Sequence, residues 1–117
     1  MSKSINRAII SHLKIAMQHI IKWLSQPDKR SASWQASIHN AQKAIAELRS
    51  EKPSIPDSLI HENWDKKFKE ATKNAEDEMN KKSTVDKLTW EQVFEIKYIL
   101  TILFIIGLII TGFFIHL

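Results

Sequence analysis

The last twenty residues, Tyr98 to Leu117, read YILTILFIIGLIITGFFIHL and contain no Asp, Glu, Lys or Arg. A helix of that length rises roughly 30 Å, the thickness of a bilayer's hydrocarbon core. It also closes its own backbone hydrogen bonds and so tolerates lipid. The stretch is therefore expected to be a transmembrane helix. A buried core helix is the competing reading, but residues 1–97 offer too little apolar surface to wrap such a rod on all sides. Thr101, Thr111 and His116 are its strongly polar members, and Gly107 with Thr111 forms one small-xxx-small pair, a weak signal for close helix approach.

Everything before that stretch has the character of a soluble domain. Mean hydropathy over the whole chain is −0.24 although the tail is apolar. Formal net charge is +4, and every Lys and Arg precedes the tail, Lys97 being the nearest. The positive-inside rule then predicts a single-pass membrane protein with its N-terminus in the cytoplasm. No apolar run near Met1 resembles a secretory signal. Cysteine is absent, which excludes disulfides and thiolate metal sites. The basic residues are interleaved with acids rather than clustered, so a nucleic-acid partner is not expected; the partner their position near the span favours is the lipid bilayer itself.

Glycine is absent before Gly107, and prolines stand only at 27, 53 and 56. They punctuate residues 1–87 into three helical segments, and no strand-like alternation is visible. In the first, about Ser4 to Ser25, Ile5, Ile9, Leu13, Ala16, Met17, Ile20, Trp23 and Leu24 share one face. Ile10 and Ile21 widen it to roughly 160°, where a surface helix needs only about 100°. Residues 5–24 are thus expected to pack against two neighbours, or against a protein partner or a second copy. His12 and His19 lie at its edge, seven apart rather than the three or four of helical metal ligands. The second segment, about Ala32 to Ser50, carries the narrower stripe Trp34, Ile38, Ala41, Ala44, Ile45 and Leu48. The third opens at Pro56 and Asp57 and keeps Ile60, Trp64, Phe68, Ala71, Ala75 and Met79 on one face, opposite a mixed, solvated charged face.

The breaks carry the other signals. In QPDKRSAS, Pro27 stops the first helix and Ser31 or Ser33 caps the second. Lys29 and Arg30 beside a helix start make an anion site conceivable, though a solvated turn is the commoner reading. Residues 82–87 read as a polar hinge. Thr89, Trp90, Glu91 and Gln92 then form a capping box. Residues 88–97 are expected to begin a helix that runs unbroken into the span 98–117, with Trp90, Lys97 and Tyr98 at the membrane interface.

Three stretches together resemble a known family: His19–Trp23 (HIIKW) with Gln26–Trp34 (QPDKRSASW), Lys52–Leu59 (KPSIPDSL), and Leu88–Val93 (LTWEQV). They are similar to the pattern of domain of unknown function family 29, small helical proteins, mostly bacterial and especially cyanobacterial. Its H-L-x-K-W, Q-P-x-x-R-S-x-S-W and P-S-L elements are matched by His19, Lys22, Trp23, Gln26, Pro27, Arg30, Ser31, Ser33, Trp34, Pro53 and Ser54, within about residues 5–95. The resemblance implies an α-helical bundle and no assigned activity. It also implies two departures: members usually carry a further N-terminal helix, and usually lack a membrane span. A missing helix would explain the over-wide face of the first segment.

The fold expected is all-α: a three-helix antiparallel bundle followed by one transmembrane helix. His19, Lys22, Trp23, Gln26, Arg30, Ser31, Ser33 and Trp34 are expected to meet where the first two segments join, as a packed corner or a partner or anion site. No nucleophile–base–orienter set and no metal constellation is visible, so no enzyme activity, cofactor or metal is expected. The function that fits is a membrane-anchored docking or assembly module. The alternative is a small membrane-active effector of the holin or abortive-infection kind, weakened by the lack of a polar stripe to line a pore.

Overall fold

The computed structural model describes residues 2–100. Its order is α1 (Ser2–Ser25), a short 3₁₀ turn (Pro27–Lys29), α2 (Ala32–Glu51), α3 (Asp57–Met79) and α4 (Trp90–Phe94). No strand occurs among the described residues. The boundaries follow local chemistry. Pro27 sits in the first turn after α1, and Ser31 Oγ accepts from Trp34 N at 3.2 Å to cap α2. Pro56, in extended conformation, precedes the first residue of α3. Asn80 ends that helix in the left-handed region, φ 56°, which asparagine tolerates better than most residues.

Helix α1 is the hub. Both α2 and α3 pack along it, while direct contact between α2 and α3 is slight or absent among the described residues. The short links make α1 and α2 antiparallel. Gln18 and Lys22 on α1 bond Glu78 near the end of α3, so α1 and α3 point the same way. The 160° face of α1 is thereby explained within the chain: Ile9, Leu13, Ala16, Met17, Ile20 and Ile21 are fully buried. The surface expected to await a partner, a second copy or a missing helix is filled by α2, α3 and the segment that follows them.

That segment is the main departure from expectation. Residues 80–100 do not form a hinge and a long helix. They form a wedge in the gap between α2 and α3. The chain climbs from Ser83, which with Thr84 meets Ser25 at the end of α1, to Leu88, whose carbonyl accepts from Trp64 Nε1 at 3.0 Å. The Thr89–Gln92 capping box then forms, with Gln92 N donating to Thr89 Oγ1 at 3.1 Å and Thr89 N to Gln92 Oε1 at 2.8 Å. The helix it starts stops after Phe94, and residues 96–100 are not helical. They descend again beside α2, where Gln42 Nε2 donates to the Val93 carbonyl at 2.7 Å and Gln35 Oε1 accepts from Leu100 N. Leu88, Val93 and Tyr98 are buried in the core. The expectation of one unbroken helix from Trp90 is thus corrected, because polar side chains of α2 hold the backbone of this stretch in place of helical partners. Tyr98 to Leu100 accordingly belong to the bundle. No helix among the described residues is long and apolar enough to cross a membrane. The remainder of the expected span, residues 101–117, lies outside the described residues.

Candidate functional site

The corner where α1 hands over to α2 gathers most of the residues singled out from the sequence. Trp23, 3% exposed, lies at its centre. Arg30 folds back from the turn, its Nε donating to the Trp23 carbonyl at 2.9 Å and its guanidinium carbon 4.9 Å from the Trp23 ring centroid. This satisfies a carbonyl left open in the last turn of α1 while placing a cation over an indole face. Lys22 does the equivalent one residue earlier. Its ammonium lies 4.8 Å from the Trp34 centroid and pairs with Glu78 of α3. Its side chain is 9% exposed, so the pair stands partly out of water and ties α1, α2 and α3 together at one point. Gln26 is buried, and its backbone N–H donates to the Lys22 carbonyl at 2.9 Å, closing the helix end.

Two of the eight predicted corner residues stand aside. His19 places Nδ1 3.0 Å from the carbonyl of Ile15, a bond within its own helix. Ser33 is exposed, and Ser31 alone caps α2. The three residues expected at a membrane interface divide likewise. Lys97 is exposed. Tyr98 is buried, its ring edge-on to Trp23 with centroids 6.0 Å apart and its hydroxyl donating to the Gln92 carbonyl at 2.6 Å. Burial pushes its phenol up to about 12. Trp90 is half-buried in a stack with Trp64 at 5.9 Å and His61 at 4.8 Å.

Sequence reasoning placed Trp64 on an apolar stripe but missed the cluster it builds. Trp64, Trp90 and Phe94 lie together, with 4.6 Å between the Trp90 and Phe94 centroids. Trp90 and Phe94 then line a shallow groove of about 240 Å³ against Gln42, Ile45, Ala46 and Arg49 of α2. Arg49 pairs with Asp57 at the start of α3. The signal available was weak: Trp90 and Phe94 are four apart and share a helix face, but nothing local says that this face meets Trp64.

In the corner, Arg30 is engaged with a backbone carbonyl and a ring, Lys22 with a ring and Glu78, and Ser31 with the backbone of α2. Among the described residues, no group of three His, Asp or Glu side chains could hold a metal ion. What the corner does chemically is fasten three helix ends and the descending segment into one block.

No curated protein and no solved structure matches the chain. A family model does, and it begins at residue 1, which gives no support to the absence of a first helix. It takes in the Trp23–Trp34 corner, the α2–α3 link and the whole wedge. By that match, over residues 1–105, the chain belongs to the family described as Domain of unknown function DUF29.

Proposed function

We propose that this chain is a non-enzymatic helical module held at a membrane by its C-terminal residues, with the bundle on the cytoplasmic side as a docking or assembly unit. One observation carries the reading: residues 101–117 contain no Asp, Glu, Lys or Arg, fourteen of the seventeen are Ile, Leu, Phe or Gly, and they follow directly on a bundle with its own buried core. As a helix this run extends roughly 25 Å, near the lower limit for crossing a hydrocarbon core. Removal of Tyr98, Ile99 and Leu100 from the span leaves it short but still adequate.

The docking part of the reading rests on surface rather than on the wide face of α1, which the chain covers itself. The half-buried aromatic groove of Trp90 and Phe94 against α2 supports it, since Trp and Arg are enriched among the residues that anchor protein interfaces. The test is fractionation of cells expressing the full chain. The protein is expected to pellet with membranes, to resist carbonate and high salt, and to be released by detergent. Recovery in the supernatant without detergent overturns the proposal.

A further inference from the structure

The bundle has two ends, and they differ. At one, α1 finishes, α2 begins and α3 finishes; the opposite end holds the start of α1 and the α2–α3 link. The chain leaves the described structure at the first of these, with Tyr98 against Trp23 and Leu100 N on Gln35 in the first turn of α2. The same end carries Lys29 in the turn after α1, Lys81 and Lys82 in the turn after α3, and Lys97 on the departing segment, all four exposed. None of them is in an ion pair among the described residues. The acids that would neutralise them are partly engaged elsewhere: Glu78 holds Lys22, and Glu76 accepts from Ser83 N at 2.8 Å. The exposed acids nearest them in sequence are Asp28 in the first turn, Asp77 in the last turn of α3 and Glu95 before Lys97. Ile99, 54% exposed, adds an apolar side chain at the point of departure. The opposite end carries both signs in closer balance, with the exposed Lys3 and Arg7 at the start of α1, Arg49 paired to Asp57, and Lys52, Glu51 and Glu62 nearby in sequence.

We propose that this lysine-bearing end is a seat for an anionic lipid surface, so that the bundle stands on the bilayer with the Pro27–Lys29 and Asn80–Lys82 turns among the headgroups. The inference rests on the membrane-anchored reading and adds to it an orientation and a lipid class. A chain entering the bilayer directly after Leu100 brings this end of the bundle to the headgroups, where charges act over about one Debye length, ~8 Å. At that range cations with no partner of their own are drawn to phosphate and carboxylate groups. The half-buried Arg30 leaves its Nε on the Trp23 carbonyl, so the corner stays rigid beneath the lysines while they engage lipid.

The chain has no cysteine, so single labels are readily placed in the full-length protein. Ser33→Cys marks the lysine-bearing end and Ser54→Cys the opposite one; both positions are exposed and neutral. With a fluorescence acceptor on the headgroups, the label at position 33 is expected to be strongly quenched in vesicles containing phosphatidylserine and weakly in phosphatidylcholine alone. The label at position 54, roughly 30 Å away along α2, is expected to stay unquenched in both. The combined variant K29E/K81E/K82E is expected to abolish the difference at position 33 while still pelleting with vesicles and keeping its helical circular dichroism. Equal quenching at position 33 in both lipids, with the protein in the pellet, overturns the seat and leaves the anchor standing. Failure of the full chain to pellet with either vesicle overturns both.

Discussion

Trp23 shows how one side chain joins everything within reach. Its buried ring has the guanidinium of Arg30 over it and Tyr98 in a T-shaped contact, and its carbonyl takes the Arg30 Nε. Removing so large a buried ring leaves a cavity that rigid helix ends cannot close. Trp23→Ala is therefore expected to lower stability by about 3–5 kcal/mol, read from urea denaturation. Tyr98 contributes a titration. An unfolded tyrosine loses its proton near pH 10, whereas the buried Tyr98 holds its own to about 12. Below about pH 10 both states are protonated and the contribution is complete. As pH rises from about 10 through about 12, the unfolded chain alone gives up the proton, and stability falls. Tyr98→Phe is expected to cost about 1 kcal/mol at neutral pH through loss of the bond to Gln92, and to flatten that alkaline decline. A decline of equal steepness in the variant would show that Tyr98 is not its source.

The elements divide by how much of their cause is local. Helices α1, α2 and α3 were legible because apolar residues repeat at helical intervals and because Pro27, Ser31 and Pro56 mark the ends. The Thr89–Gln92 capping box was legible for the same reason, since both bonds lie within four residues. What it introduces was not. A charge-free run from Tyr98 onward reads as helix whatever precedes it, and the stop after Phe94 depends on Gln35 and Gln42, more than fifty residues earlier. Two glutamines seven apart on α2 carry no mark of that role. The corner was half-legible: Trp23, Arg30 and Trp34 follow from motif spacing, but the partners Glu78 and Tyr98 arrive from distant sequence. Thr89→Ala removes one reciprocal bond of the box and is expected to cost about 1 kcal/mol by denaturant titration. Leu88→Ala, outside any helix yet 4% exposed, is expected to cost more, about 2–5 kcal/mol. A smaller loss at Leu88 than at Thr89 would mean that the wedge adds little to the core.

At the scale of the molecule, one helix serves two neighbours that scarcely touch each other, and the gap between them is closed by a stretch with only one turn or so of regular structure. Cooperativity must therefore run through α1 and through the wedge. Thermal unfolding is expected to show a single transition for the full chain in detergent. Leu88→Ala combined with Val93→Ala is expected to broaden it or split it, as α2 and α3 lose their common filler. An unchanged, sharp transition would place the cooperative core in the helices alone. The order of synthesis gives the wedge a further consequence. A ribosome finishes all three long helices before it makes Leu88, Val93 and Tyr98, so the nascent bundle has an open seam along its oldest helix. Folding is sealed late, only when the stretch that carries Leu88, Val93 and Tyr98 becomes available to fill that seam.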